Sequence, residues 1–305
     1  MSITSKPVPA GLPSTGRIIA ALPVESVQSK TSARPMSNQA LHLLTFILYA
    51  ALAFLFWRAQ SAGSAEQQNR GALGLAVVVP LLLHGWLLYD TLFVWGTLNL
   101  GLAYAISLIL WLTVLIYWLA RRFYPIASLL TLMLPLAAAA SALPAMFPGT
   151  RMVTQPPSGL FDTHVLMALL AYSLFTIAAL HAGLIALVEK RLHHARMPEV
   201  LKSLPPLMTM ETLLFRVIGV GFVILTVTVV SGLLFSEQIF GHPWQFTHKV
   251  LFGLLSWIVF GVLLLGHHFY GWRGHTAVRL TLSGFAFLLL AYLGTQFVLE
   301  VILHR

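Results

Sequence analysis

Apolar runs of about 20 residues recur from residue 39 to the end of the chain, and they limit what it can fold into more than any other feature. A run of that length crosses a hydrocarbon core of about 30 Å as one helix. No water reaches the backbone inside that core, so a spanning segment must satisfy its own N–H and C=O groups. Eight such segments are expected, at about 39–57, 73–92, 99–119, 125–145, 163–189, 214–235, 248–267 and 277–302. The predicted fold class is all-α: a polytopic membrane protein with eight transmembrane helices in one bundle. The segments lack the polar alternation of barrel strands. Only 9% of residues are charged, against about 25% in a soluble domain. Pro135 and Pro144 interrupt the fourth segment, which membrane helices tolerate when neighbours satisfy the freed carbonyls.

Residues 1–38 differ from the rest. Pro7, Pro9, Pro13, Pro23 and Pro35 stand among serines and threonines, and the stretch reads as a disordered N-terminal extension. The eight-span membrane domain then covers 39–305. Met36 opens MSNQALHLLTFILY directly against the first span, so residues 1–35 are expected to be an upstream extension absent from the mature chain.

Loop charge orients the bundle. Arg58 and Arg70 follow the first span, Arg121 and Arg122 the third, Lys190, Arg191, Arg196 and Lys202 the fifth, and Arg273 the seventh. The loops after the second, fourth and sixth spans hold only Arg151. The positive-inside rule therefore places the odd-numbered loops in the cytoplasm of a bacterial inner membrane. The net charge of +9 is an orienting signal of this kind, and no nucleic-acid partner is expected. Membrane lipid is the expected surrounding. Leu201, Leu204, Leu207 and Met208, in the longest basic loop, are placed to rest in the lipid interface.

The chain has no cysteine, which excludes disulfides, thiolate metal sites and covalent haem attachment through CxxCH. It shows no P-loop, GxSxG or HExxH pattern. No carboxylate falls in mid-span, which weighs against a proton-coupled pump. The chain is not expected to be an enzyme.

The twelve histidines carry the remaining chemistry. His164 and His248 each open a span on the same, outer side. Neutral imidazoles are good iron ligands, and two from different helices can close the axial positions of a haem. Trp244 and Phe246 would then pack on the porphyrin. The competing reading is an ordinary interfacial rim of His and Trp. His84 lies inside the second span, where a polar group is costly. It reads either as an intramembrane ligand or as a partner of a neighbouring helix or of Tyr89. His181 lies seventeen residues along the fifth span from His164, about 25 Å away, so the two cannot share a site. His267 and His268 read as groups meeting water or phosphate head groups.

Several segments resemble the cytochrome c assembly family of membrane haem-handling proteins, in its YpjD-like branch, which is related to HemX. They are LHGWLLYDTLF at 83–93, THVLMALLAYSLF at 163–175, PPLMTMETLLFRVIGVGF at 205–222, HKVLFGLLSWIVFGVLLLGHHFYGWRG at 248–274 and SGFAFLLLAYLG at 283–294. The resemblance implies an outer tryptophan-rich loop that presents haem. With Lys249 and Trp257 on the family's lysine and tryptophan, Trp244 takes the first motif tryptophan. Phe246 replaces the second, Thr247 the aspartate and His248 the proline, while Leu265 stands where the family has a histidine. His164 fits the family's outer histidine. The resemblance implies non-covalent haem b as cofactor, His164 and His248 as tentative iron ligands, and other cytochrome c maturation proteins as partners. Two alternatives stand beside haem handling. One is a transporter or transporter subunit without haem, and the other a HemX-like regulatory partner acting through the 190–213 loop.

Overall fold

The computed structural model describes residues 25–61, 69–92, 98–99, 101–123, 130–147, 152–153, 159–192, 206–237, 245–294 and 297. The chain divides into two compact units, Met1–Ser37 and Asn38–Arg305. Residues 1–24, where most of the expected disordered extension falls, lie outside the described residues, and helix begins at Glu25. Everything below concerns the second unit.

Its helices are α1 (Glu25–Ser61, in this unit from Asn38), α2 (Asn69–Ala76), α3 (Val78–Leu92), α4 (Leu102–Ala120), α5 (Leu130–Met146), α6 (Gly159–Leu192), α7 (Leu207–Leu234), α8 (His248–Tyr270) and α9 (Gly274–Leu289). A π-helical turn, Leu290–Gly294, continues α9. Two short strands, β1 (Leu98–Asn99) and β2 (Met152–Val153), pair antiparallel with Leu98 opposite Val153. Among the described residues seven segments have the length and apolarity to cross a membrane: Asn38–Ala59, Gly71–Asp90, Leu102–Ala120, Gly159–Arg191, Leu207–Leu234, His248–Tyr270 and Gly274–Gly294. The eighth expected span is α5, a 17-residue apolar helix. At 1.5 Å per residue it is about 25 Å long, short of a full hydrocarbon core.

Local chemistry explains the breaks. Pro80 has no N–H for the Ala76 carbonyl and its ring crowds that group, so the second span is split into α2 and α3 at Val77. Gly271, at φ 66°, ends α8 in a left-handed turn. There Gly271 N–H donates to His267 O, and Trp272 N–H to Gly266 O at 3.2 Å.

Two hydrophobic clusters form the core. One joins α1–α5 through Tyr49, Phe56, Leu81, Tyr117, Leu130 and Leu134. The other joins α6–α9 through Phe175, Leu214, Ile218, Phe260, Leu263 and Leu288. The helices α4 and α6 run side by side between them. Ser173 Oγ donates to the Ile109 carbonyl at 3.1 Å, and Thr113 Oγ1 to the Ser173 carbonyl at 3.4 Å. Small residues at this seam let the backbones approach, as membrane helix packing requires. In the second cluster Phe175 and Phe260 stack at 3.8 Å. A Cβ on Gly284 would stand 2.9 Å from Phe260, and one on Gly221 3.2 Å from Phe175. The stacked rings therefore fill the space that these two glycines leave.

Contacts at the helix ends gather the basic residues on one face. Trp118 Nε1–H donates to the Gly74 carbonyl, and Arg121 lies over the Trp118 ring. Partial burial, and then the neighbouring Arg122 charge, lower the pKa of Arg121 from its usual value. Tyr117 meets His181 edge-on, so α4 and α6 run in the same direction and carry Arg121, Arg122, Lys190 and Arg191 toward one side, α6 reaching about two turns further. His275 pairs with Glu189 at 3.6 Å, bringing the start of α9 to the same face. At the opposite ends, Asn38 Nδ2–H donates to Asp90, His42 Nδ1–H to the Ser141 carbonyl, and His164 meets Ser231.

Candidate functional site

His164, half-buried on the second turn of α6, lies away from the basic face. Its Nδ1 lies 3.0 Å from Ser231 Oγ, near the end of α7. Ser231 Oγ–H in turn donates to the Thr228 carbonyl at 3.0 Å. The serine proton is thus committed, and Ser231 Oγ accepts from His164 Nδ1–H. That assignment puts the lone pair of the neutral ring on Nε2. An imidazole oriented through one nitrogen, with its lone pair on the other, is the arrangement metal-ligating histidines use. Gly232 makes room for it, since a Cβ there would lie 3.3 Å from His164 Cε1.

His248 is the first residue of α8 and is exposed. Phe246, just before it, is 63% exposed. Trp244 lies outside the described residues. Among the described residues no group of three or more His, Asp or Glu side chains gathers as a metal site. Deeper, between α7 and α8, Trp257 has partners that the sequence did not show. Trp257 stacks on Phe222 at 5.7 Å, and its Nε1–H donates to Thr226 Oγ1 at 2.9 Å. Thr226 Oγ1–H passes on to the Phe222 carbonyl at 2.7 Å. The serine and threonine of α7 thus serve His164 and Trp257 in the same way. Nearby, Tyr172 O–H donates to the Leu288 carbonyl at 2.7 Å, beside the π-turn, and meets Tyr292 edge-on. Lys249 Nζ lies 5.6 Å from the centre of that Tyr292 ring. Trp257→Phe keeps the stack and loses the N–H donor. It should lower stability by about 1 kcal/mol, read as a lower unfolding midpoint in detergent.

His84 is not part of this group. It is fully buried in the first cluster, edge-on to Tyr49 at 5.8 Å. Its Nε2 shares a 2.9 Å hydrogen bond with Ser107 on α4, while Nδ1 and the Tyr49 hydroxyl are buried with no hydrogen-bond partner among the described residues. The structure gives His84 the neighbouring-helix partner, and that partner is Ser107, not Tyr89. Ser107→Ala alone should cost about 1–3 kcal/mol, because it strands the second ring nitrogen. The double change His84→Leu/Ser107→Ala should be close to neutral in the same unfolding measurement, because both polar partners leave together.

The sequence profile of the cytochrome c assembly protein family matches residues 72–303. Inner membrane protein YpjD of Escherichia coli K12 is 32% identical over 139 residues, 46% of this chain and 52% of its own length. The chain thus spans about half the length of that relative. An uncharacterised 28.8 kDa protein of Azospirillum brasilense is 28% identical over 274 residues, covering 88% of this chain and all of its own. Cytochrome c biogenesis protein CcsA of Microcystis aeruginosa is 32% identical over 88 residues, 29% of this chain and 27% of its own. No solved structure matches the chain. The profile runs from the second span through α9 and takes in the helices that carry His84, His164, Ser231 and His248: the chain belongs to the cytochrome c assembly protein family.

Proposed function

We propose that this protein is a multi-pass inner-membrane protein that holds haem b non-covalently at the face opposite its basic helix ends. It acts there in cytochrome c biogenesis, beside other maturation proteins and without chemical turnover. The observation that carries this reading is the chain from His164 through Ser231 to the Thr228 carbonyl. It holds the ring in the tautomer an iron ligand needs, at the end of a membrane helix. When bound, haem supplies an iron with axial positions for imidazole. His164 is the oriented ligand. His248, exposed at the start of α8, would be the second, and Phe246 and Trp244 would be the aromatic residues to pack on the porphyrin. The donor set fits iron: two nitrogen ligands and no competing thiolate. His84 fits less well, because it is fully enclosed between Tyr49 and Ser107.

The membership and the names of the relatives, an inner membrane protein and a cytochrome c biogenesis protein, support location and process. The test is an absorption spectrum of protein purified in mild detergent from haem-replete cells. A Soret band close to one haem per chain is expected. Folded protein that shows no band, even after reconstitution with haemin, would sink the proposal and leave transport or partner regulation as the better reading of the same fold.

A further inference from the structure

On the basic face a cavity of about 310 Å³ opens between the start of α7 and the turn joining α8 to α9. Met208, Glu211, Thr212, Phe215, Arg216, His267 and Arg273 line it. It shares no residue with the proposed haem site.

The turn is rigidly built. Gly271 and Gly274 both adopt positive φ, 66° and 55°. Glu211, 8% exposed, accepts the Gly274 N–H at 2.9 Å and ties the turn to α7. His267 stacks on Phe215 at 3.5 Å, and its Nδ1–H donates to the Trp272 carbonyl at 2.9 Å. The floor is thus pinned by two side chains whose polar atoms serve the backbone. Arg216 and Arg273 supply the cationic part of the lining. Their two charges exceed the one that Glu211 contributes. The cavity lies along the first turns of α7, where the helix dipole also favours an anion.

We propose that this cavity binds a phosphate group. Guanidinium forks match phosphate oxygens in pairs, and the positive end of a helix favours the same charge. The walls away from the arginines are apolar, at Met208 and Phe215, which suits a phosphate carried on a lipid. Phe269 and Tyr270, 70% and 79% exposed, flank the turn as interfacial aromatics do and set the cavity at head-group depth. Basic pockets between membrane helices take lipid head groups in this way.

The test uses the full chain in phosphatidylcholine nanodiscs. It compares the unfolding midpoint with and without added phosphatidylglycerol, and with inorganic phosphate titrated against matched chloride. A midpoint raised by phosphatidylglycerol identifies a lipid head group. One raised by inorganic phosphate in phosphatidylcholine alone identifies free phosphate. In either case Arg216→Gln/Arg273→Gln should abolish the rise, while Arg279→Gln, exposed on α9 outside the cavity, should keep it. Arg273→Lys keeps the charge but not the fork, and should weaken the effective probe by about tenfold. It stands in should the double variant fail to fold. No rise in the wild type, an equal rise in the double variant, or full affinity in Arg273→Lys would overturn the proposal.

Discussion

Phe260→Ala is expected to lower the stability of the bundle by about 2–3 kcal/mol, the largest loss from any single core change in α6–α9. The ring is fully buried, stacks on Phe175 at 3.8 Å and fills the space that Gly284 leaves. In a soluble protein Phe→Ala costs about 3–5 kcal/mol, part of it the transfer of the ring from water. A membrane protein does not recover that part, since lipid is as apolar as the core. What remains is the cavity. Removing a phenyl group opens roughly 100 Å³, and at about 24 cal/mol per Å³ that is about 2.4 kcal/mol. Thermal unfolding in detergent reads it directly. Phe269→Ala, on the same helix but 70% exposed, should leave the midpoint nearly unchanged. Gly284→Leu should fail from the opposite side, because its side chain must enter the space the Phe260 ring holds. Equal effects at positions 260 and 269 would mean that the stack is not what joins α6 to α8.

The long apolar runs made the spans legible, because period and length suffice in a bilayer. Their ends were less legible, for reasons that can be named. The sixth span was expected from residue 214, with Glu211 ahead of it. In the structure Glu211 is buried against the Gly274 N–H, so helix extends back to Leu207. The break at Pro80 has a signal in the sequence, but the reading passed over it. Of the fourth expected span, residues 125–129 lie outside the described residues, and α5 is described from Leu130.

Partners across the bundle left no local trace. His164 and Ser231 are separated by 67 residues, His84 and Ser107 by 23, and Glu211 and Gly274 by 63. Each pair depends on the register between two helices, which hydropathy does not report. The available signal was compositional: serines and threonines inside apolar spans seek carbonyls or neighbouring polar groups. Applied to α7, it would have picked out Thr226 and Ser231. The Gly271–Gly274 turn was visible as a motif. The cavity beside it was not, because most of its lining comes from the start of another helix.

His164→Ala/His248→Ala is expected to remove the Soret band of haem-loaded protein almost entirely, with the unfolding midpoint of the haem-free chain little changed. Each single variant should leave one axial ligand and a band of altered shape, because the iron loses one imidazole. Ser231→Ala discriminates more sharply, since both histidines remain. Without Ser231 Oγ, His164 Nδ1–H loses that acceptor, and the chain that favours the tautomer with its lone pair on Nε2 is broken. Loss of such an outer partner typically weakens a metal site about 10–100-fold. A titration with haemin should therefore show reduced affinity in Ser231→Ala and wild-type affinity in His84→Leu/Ser107→Ala. Unchanged affinity in Ser231→Ala would reduce the His164–Ser231–Thr228 chain to helix packing. A band that survives the double histidine variant but disappears with His84 would move the iron into the first cluster. Tyr49 would then have to turn aside, because His84 has no exposed surface while that ring stays in place.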